Sequence, residues 1–426
     1  MNRKDLIQTY LHFGYLPPTQ IPNWIDECIT EETKGDVYDA DEVIERLDLV
    51  FDQLLEQYAG DHHIVPLSGG WDSRLILGAL LDRVETPSIQ TVTFGSPGQL
   101  DFEIAKQIAD WAEVKHHSIN LNEVSFSWNL ILESVKKSPF TYTPDVYFAQ
   151  KSFNLINDKN VKFWSGFLGD AINGGHTSKN EKDLKQVRMD FVKKEKFSKN
   201  HRLVQSEFEP NVNIPDKTFK IPIEDAVFLG YHCTSCTTPI NLPTIEWSGW
   251  NGLHENKRYG LSIFTPFVDK LWAGYWLSAP RSKKVGMKLF HEAMEKKFPE
   301  LFALPSKSRL GFRKNQKISY QLRRANYGIR RRLNKLFPSF KLGPHSIHNY
   351  LDYNKAYRER EDYQETLKKA FSYLEEVEAT PWLNFEKMWD EHLNFKKNYG
   401  KEFNILLGLA ANLSVNGNLK SENKNK

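Results

Sequence analysis

Ser68-Gly69-Gly70-Trp71-Asp72-Ser73 lies between an apolar run, Ile64-Val65-Pro66-Leu67, and a helical pattern from Arg74 to Leu81. A small-residue turn at the carboxyl end of a parallel strand exposes backbone N–H groups, and the next helix adds its positive end, so the spot favours phosphate. Gly69 and Gly70 permit torsions and a close approach that side chains would block, while Ser68 and Ser73 add hydroxyl donors. Asp72 repels phosphate, so its place in such a turn is that of a Mg²⁺ ligand bridging carboxylate and phosphate oxygens. The plain alternative is a glycine turn that only joins strand to helix. Neither G-x-x-x-x-G-K-[ST] nor G-x-G-x-x-G occurs in the sequence, which removes the usual competing phosphate loops.

The surrounding sequence alternates strands and helices. Val43, Leu47, Val50, Phe51, Leu54, Leu55 and Tyr58 recur at helical steps before Gly60. Pro66 near the end of the Ile64–Leu67 run needs a ladder position that requires no N–H. Ile89 to Phe94 reads as a strand and Phe102 to Ala112 as a helix, with Ile104, Ala105, Ile108, Ala109 and Ala112 on one face. His116 to Ile119 and Val161 to Trp164 read as further strands. The alternation predicts an α/β fold with a parallel sheet covered on both faces.

A second loop repeats the first one's logic. After Val161–Trp164 comes Ser165-Gly166-Phe167-Leu168-Gly169-Asp170, continuing to Gly174-Gly175-His176. Asp72 and Asp170 on neighbouring loops would give Mg²⁺ the sparse protein ligation it prefers, with nucleotide oxygens and water completing its shell. Taken alone, the second loop reads as a glycine turn carrying an aspartate.

With 426 residues the chain is too long for one core, and its net charge of +3 does not by itself imply nucleic acid. Three cysteines give no disulfide framework, which makes a cytoplasmic location the expectation. Cys233-x-x-Cys236 beside His232 has no second pair and carries little weight as a zinc site. Asp61-His62-His63 reads as a loop with exposed imidazoles, and His116-His117 as structural. Met1–Asp5 does not open a signal peptide, and Phe403–Val415 is too short to span a bilayer. From Leu301 to Leu351 there are twelve Lys or Arg and no acidic residue. That stretch reads as a solvated face or a counterpart to phosphates, or else as a surface for nucleic acid, lipid or another anionic partner.

Both loops, and much between and after them, resemble the synthetase domain of glutamine-dependent asparagine synthetase and its relatives, which include β-lactam synthetase and lasso-peptide cyclases. The first loop is similar to that family's SGG-x-DS signature and the second to its SG-x-G-x-D-x-x-x-GG loop. Thr93-Phe94-Gly95 with Asp101, Glu103 and Ala105 resembles its second strand and following helix, with His116-His117 as the sequel. Pro266-Phe267-Val268-Asp269 resembles its PFLD segment, Lys307-Ser308-Arg309-Leu310-Gly311-Phe312 its basic stretch, and Tyr10 to Pro17 the lead-in to the domain. The similarity runs in order over about residues 5 to 312. It departs in three places. The glutaminase half is missing, with Asn2 where its Cys nucleophile would stand. Phe167 replaces an acidic residue of asparagine synthetase, which points toward other carboxylates. The catalytic Lys aligns with Arg309, or with Lys307 if a small gap is allowed.

The resemblance implies an ATP-pyrophosphatase (adenine nucleotide α-hydrolase-like) core with helical additions. It implies an ATP- and Mg²⁺-dependent amide ligase that adenylates a small-molecule carboxylate and passes it to ammonia or an amine, with a separate protein as a conceivable amine source. Val65, Leu67, Phe94 and Gly95 would line the adenine slot. Ser68, Gly69, Gly70 and Ser73, with Ser165, Gly166 and Gly169, would hold phosphates; Asp72 and Asp170 would hold the metal, and Lys307 or Arg309 would act in catalysis. A non-catalytic nucleotide-binding relative and a pyrophosphatase acting on tRNA are the alternatives. The predicted organisation is an irregular N-terminal segment over 1–45, the synthetase domain over 46–312, a basic then helical extension over 313–415, and a disordered tail over 416–426.

Overall fold

The computed structural model describes residues 3–14, 16, 23–35, 37–57, 62–137, 161–194, 202–210, 220–227, 255–258, 261–336 and 351–422. Its centre is a six-stranded sheet in the order β3-β2-β1-β4-β6-β5, with β1 His62–Pro66, β2 Ile89–Gly95, β3 Lys115–Asn120, β4 Val161–Trp164, β5 Glu255–Arg258 and β6 Leu261–Phe264. Every pairing is parallel except that of β5 with β6, so an antiparallel hairpin strand closes one edge of the parallel core. The four strands read from the sequence fall where expected. The β5–β6 pair was not among the expected strands: Glu255–Arg258 is polar throughout, and Leu261–Phe264 is a strand through its pairing with β5 and β4. Pro66 sits at the last β1 position opposite Val92, and the ladder continues with Leu67 N–H donating to the Val92 carbonyl at 2.8 Å.

The chain leaves β1 for β2 and β3 on one side, then crosses to β4 on the other. The order therefore reverses between β1 and β4, where open α/β sheets form their ligand crevice at the carboxyl ends of the strands. One core lies around this sheet. Ile64, Val65 and Val92 are buried from its strands, and the Ala40–Gln57 helix adds Val43, Leu47, Val50, Phe51 and Leu54. Phe51 stacks on Trp164 of β4 at 5.7 Å between ring centres.

A second core is built mainly from helices. The Gly400–Glu422 helix runs through its middle with Phe403, Ile405, Leu406, Leu409 and Ala410 buried; around it lie the Arg3–Phe13, Trp128–Lys137, Tyr353–Glu359 and Glu361–Glu376 helices. Asn404 is buried there and accepts from the Tyr357 hydroxyl at 2.8 Å.

Two expectations need correction. Residues 3–13 form a helix rather than an irregular segment. Its run Ile7 to Phe13 is buried throughout, Ile7, Tyr10 and Leu11 in the second core and Phe13 in the first, and polar Gln8, Thr9 and His12 are buried with them, so polar and apolar residues do not sort onto opposite faces. The tail expected to be disordered from 416 continues the last helix as far as Glu422, since adding residues to a formed helix avoids the cost of nucleating one. Cys233, Cys236 and His232 lie outside the described residues. Among the described residues no helix is long and apolar enough to cross a membrane.

Candidate active site

The hexapeptide turn leaves β1 and enters the Asp72–Leu81 helix. Inside it, Ser68 N–H donates to Ser73 Oγ at 3.2 Å, and the two hydroxyls are 3.1 Å apart. Gly70 N–H donates to Ser68 Oγ at 3.1 Å. The two serines thus close the turn on itself and fix its backbone.

The second loop arrives from β4 and packs directly on the first. A Cβ built at Gly169 would lie 2.5 Å from Asp72 Cγ, and one at Gly166 would lie 3.0 Å from Asp72 Cβ, so both glycines make room for the aspartate. Leu168 takes a left-handed backbone (φ 67°) to start the short Gly169–Ile172 helix. Beyond it, Trp272 Nε1 donates to Asn173 Oδ1 at 2.9 Å, and Thr177 donates to Asp225, which pairs with fully buried Lys284 at 2.9 Å. The loop is held from behind by buried polar contacts. Phe167, where an acid was expected by resemblance, packs partly buried against the sheet core.

Asp72 and Asp170, remote in sequence, come together. Asp72 Oδ1 is shut off from solvent and has no hydrogen-bond partner. Burial pushes its carboxyl well above the ordinary carboxylate range, the negative charge of Asp170 pushes the same way, and a hydrogen bond from the Asp170 backbone offsets them in part. Asp170 is exposed, with His176 Nε2 3.8 Å from its Oδ2. An orphaned carboxylate oxygen beside a second carboxylate fits a hard divalent cation that arrives with its nucleotide. No group of three or more His, Cys, Asp or Glu that could hold a metal occurs among the described residues.

The basic stretch folds back onto the first loop. Lys307 N–H donates to the Gly69 carbonyl at 2.9 Å, while its Nζ pairs with Asp101 Oδ2 at 2.7 Å. The other oxygen of Asp101 accepts from Gly69 N–H at 2.9 Å. Arg309 turns elsewhere: its guanidinium lies over the Trp71 ring at 5.2 Å and 3.5 Å from Glu295 Oε1. The two basic candidates are thereby separated in space, with Lys307 against the turn and Arg309 on the far side of Trp71.

The proposed adenine-slot residues all sit at the carboxyl edge of the sheet, in unequal states. Leu67 follows β1, and Phe94 and Gly95 end β2, with the Thr93 hydroxyl donating to the Leu67 carbonyl. Val65 is wholly enclosed in the core, backbone included, so it offers no surface to a ligand. The histidine pairs are structural neighbours. His63 is buried rather than exposed, accepts from Trp164 Nε1 at 3.0 Å, and is held to about 4 chiefly by burial. His116 and His117 bond back to Thr91 and Gln90 of β2. Asp269 caps the Lys270–Ser278 helix through Leu271 N–H at 2.8 Å.

Two residues with positioning roles were not read as functional from the sequence. Asp101 lies on the same helical face as Ile104, Ala105 and Ile108, and an acid on an apolar face is the signal that could have found it. Arg74 is the other, a basic residue two positions after Asp72 in an otherwise largely apolar helix. It is fully buried, lies over Trp71 at 4.7 Å, and donates to the carbonyls of Leu301, Leu304 and Pro305 at 3.1, 3.2 and 2.6 Å. Burial and the nearby Arg309 both oppose its charge, and the three carbonyls answer that cost. Arg74 ties the approach to Lys307 to the helix that begins in the phosphate turn. Arg74→Ala is expected to destabilise the protein by about 3 kcal/mol or more, because buried carbonyls lose their donor and a cavity opens; a urea melt reads this directly.

Residues 63–217 match the family model for asparagine synthase. The match begins in β1 and takes in both glycine-bearing loops, so it covers the sheet edge where Asp72 and Asp170 meet. The match supports, at family level, an asparagine-synthase-like, ATP-using ligase domain over these residues, set on a parallel-sheet core with helical additions. A search of curated proteins finds no match to the chain.

Proposed function

We propose that the protein is an ATP-dependent, AMP- and pyrophosphate-forming amide ligase working at the asparagine-synthase-like site. The observation that carries this reading is the shielded, unpartnered Asp72 carboxylate oxygen beside Asp170, at the point where the sheet order reverses. The turn Ser68–Ser73 and the loop Ser165–Gly169 would hold the phosphates through backbone N–H groups and hydroxyls. Asp72 and Asp170 would hold Mg²⁺, which when bound supplies charge neutralisation to the triphosphate. Leu67, Phe94 and Gly95 would border the base, with Val65 enclosed behind them.

An oxygen of the substrate carboxylate attacks the α-phosphorus; the new O–P bond forms as the α–β bridge breaks and pyrophosphate leaves. Ammonia or an amine then attacks the acyl carbon, AMP departs, and the nitrogen loses a proton. Lys307, set against Gly69 and steered by Asp101, is the cation we assign to stabilising charge in these steps. Arg309 acts through Trp71 and Glu295 as support. The partly buried Phe167 in place of an acid favours a carboxylate other than aspartate, and the amine would come from solution, from the substrate or from a separate protein.

A panel of carboxylic acids with ATP and Mg²⁺, with and without ammonia or simple amines, provides the test. The expected outcome is acid-dependent formation of pyrophosphate and AMP in equal amounts. ATP binding without cleavage across the panel would instead identify a nucleotide-binding relative that lacks the chemistry.

A further inference from the structure

The Lys317–Leu336 helix follows the Lys307–Phe312 stretch and leaves the protein body. Residues 321–326 are exposed all round, and three large apolar side chains stand in solvent: Ile318 at 76%, Leu322 at 68% and Ile329 at 59% exposure. Steps of four and seven place these on one narrow stripe of the helix. The sequence of the helix holds seven Lys or Arg and no acidic residue. Lys317, Arg324 and Arg332 flank the stripe on one side by helical spacing, Arg323 and Arg330 on the other. Its first half is fastened down by Arg323, which donates to the Leu310 carbonyl at 3.0 Å and lies over Phe312 at 5.3 Å.

We propose that this helix is a docking surface for an anionic lipid membrane, on which it lies flat with its apolar stripe sunk between the headgroups. The charge pattern chooses the occupant. A second copy of the helix could cover the stripe only by bringing two sets of seven positive charges together. Nucleic acid would satisfy the arginines yet leave Ile318, Leu322 and Ile329 in water. An anionic bilayer answers both features, since an apolar stripe edged by cations is what inserts at a headgroup boundary. No described helix can cross a membrane, so the contact is adsorption in the plane of the surface. Because Arg323 fastens the helix to Leu310, docking would hold the Lys307 stretch facing the lipid.

The test is co-sedimentation of the full chain with phosphatidylcholine vesicles, with and without about one-third phosphatidylserine. Uptake is expected only with the anionic lipid, falling as salt rises. Ile318→Ser/Leu322→Ser/Ile329→Ser, which keeps every charge, should weaken vesicle binding at least about tenfold. Arg324→Gln/Arg330→Gln/Arg332→Gln should weaken it roughly a hundredfold, at about fivefold for each charge. Circular dichroism of both variants checks that the chain stays folded. No uptake by anionic vesicles, or uptake that the serine variant leaves unchanged, overturns the proposal. Salt-sensitive RNA binding without vesicle uptake overturns it in favour of a nucleic-acid surface, and concentration-dependent dimers without uptake overturn it in favour of self-pairing.

Discussion

Asp72→Asn is expected to cut acid-dependent pyrophosphate release by about a thousandfold while making the ligand-free protein more stable. The two effects have one origin. The Asp72 carboxyl is held well above its ordinary range by burial and by Asp170, so ionising it costs more in the folded protein than in the unfolded chain. Above the ordinary carboxylate pKa, near 4, that difference opposes folding; below it both states carry the proton and the opposition vanishes. A neutral isostere removes the penalty. The melting temperature should therefore rise by about 2 °C or more at pH 7, and the gain should shrink as the pH is lowered toward about 4. Thermal melts at both pH values, beside a pyrophosphate assay, read the two effects in one preparation. If Asp72→Asn destabilises at neutral pH, the carboxylate is not strained in the way its surroundings imply. If it also keeps full activity, the metal assignment goes with it.

Lys307→Met is expected to lower the rate of pyrophosphate release by about 10²- to 10³-fold, the range for removing a preorganised charge from a transition state. Arg309→Met should lose less than about tenfold, since its guanidinium is engaged with Trp71 and Glu295 and affects the turn only through that platform. Asp101→Asn keeps an acceptor for Gly69 N–H but removes the charge beside Lys307, and should fall between the two. Single-turnover assays on folded variants separate these outcomes from simple instability. A larger loss at Arg309 than at Lys307 would reverse the assignment.

The resemblance left Lys307 and Arg309 open because an alignment that slips by two positions cannot separate them. Three-dimensional packing puts Lys307 against Gly69 and Asp101 and Arg309 against Trp71 and Glu295, and our assignment of Lys307 rests on that difference. The lead-in helix Arg3–Phe13 was hidden for a different reason: most of its partners lie at the far end of the chain, and burial of polar residues among apolar ones erases the polar face that periodicity relies on. The strands of the parallel core were legible because buried β-branched runs bounded by turns carry a local signal, as at Ile89–Phe94.

From the sequence alone follow the alternating α/β core, the two glycine-bearing loops and the placement of one aspartate in each, since these depend on torsions and local periods that neighbouring residues set. The tertiary structure alone decided that one Asp72 oxygen loses its solvent, that Asp101 joins Gly69 to Lys307, and that the basic helix leaves Ile318, Leu322 and Ile329 exposed. Desolvation and ion pairing depend on which remote segments arrive at the same place, and no local pattern of residues carries that information.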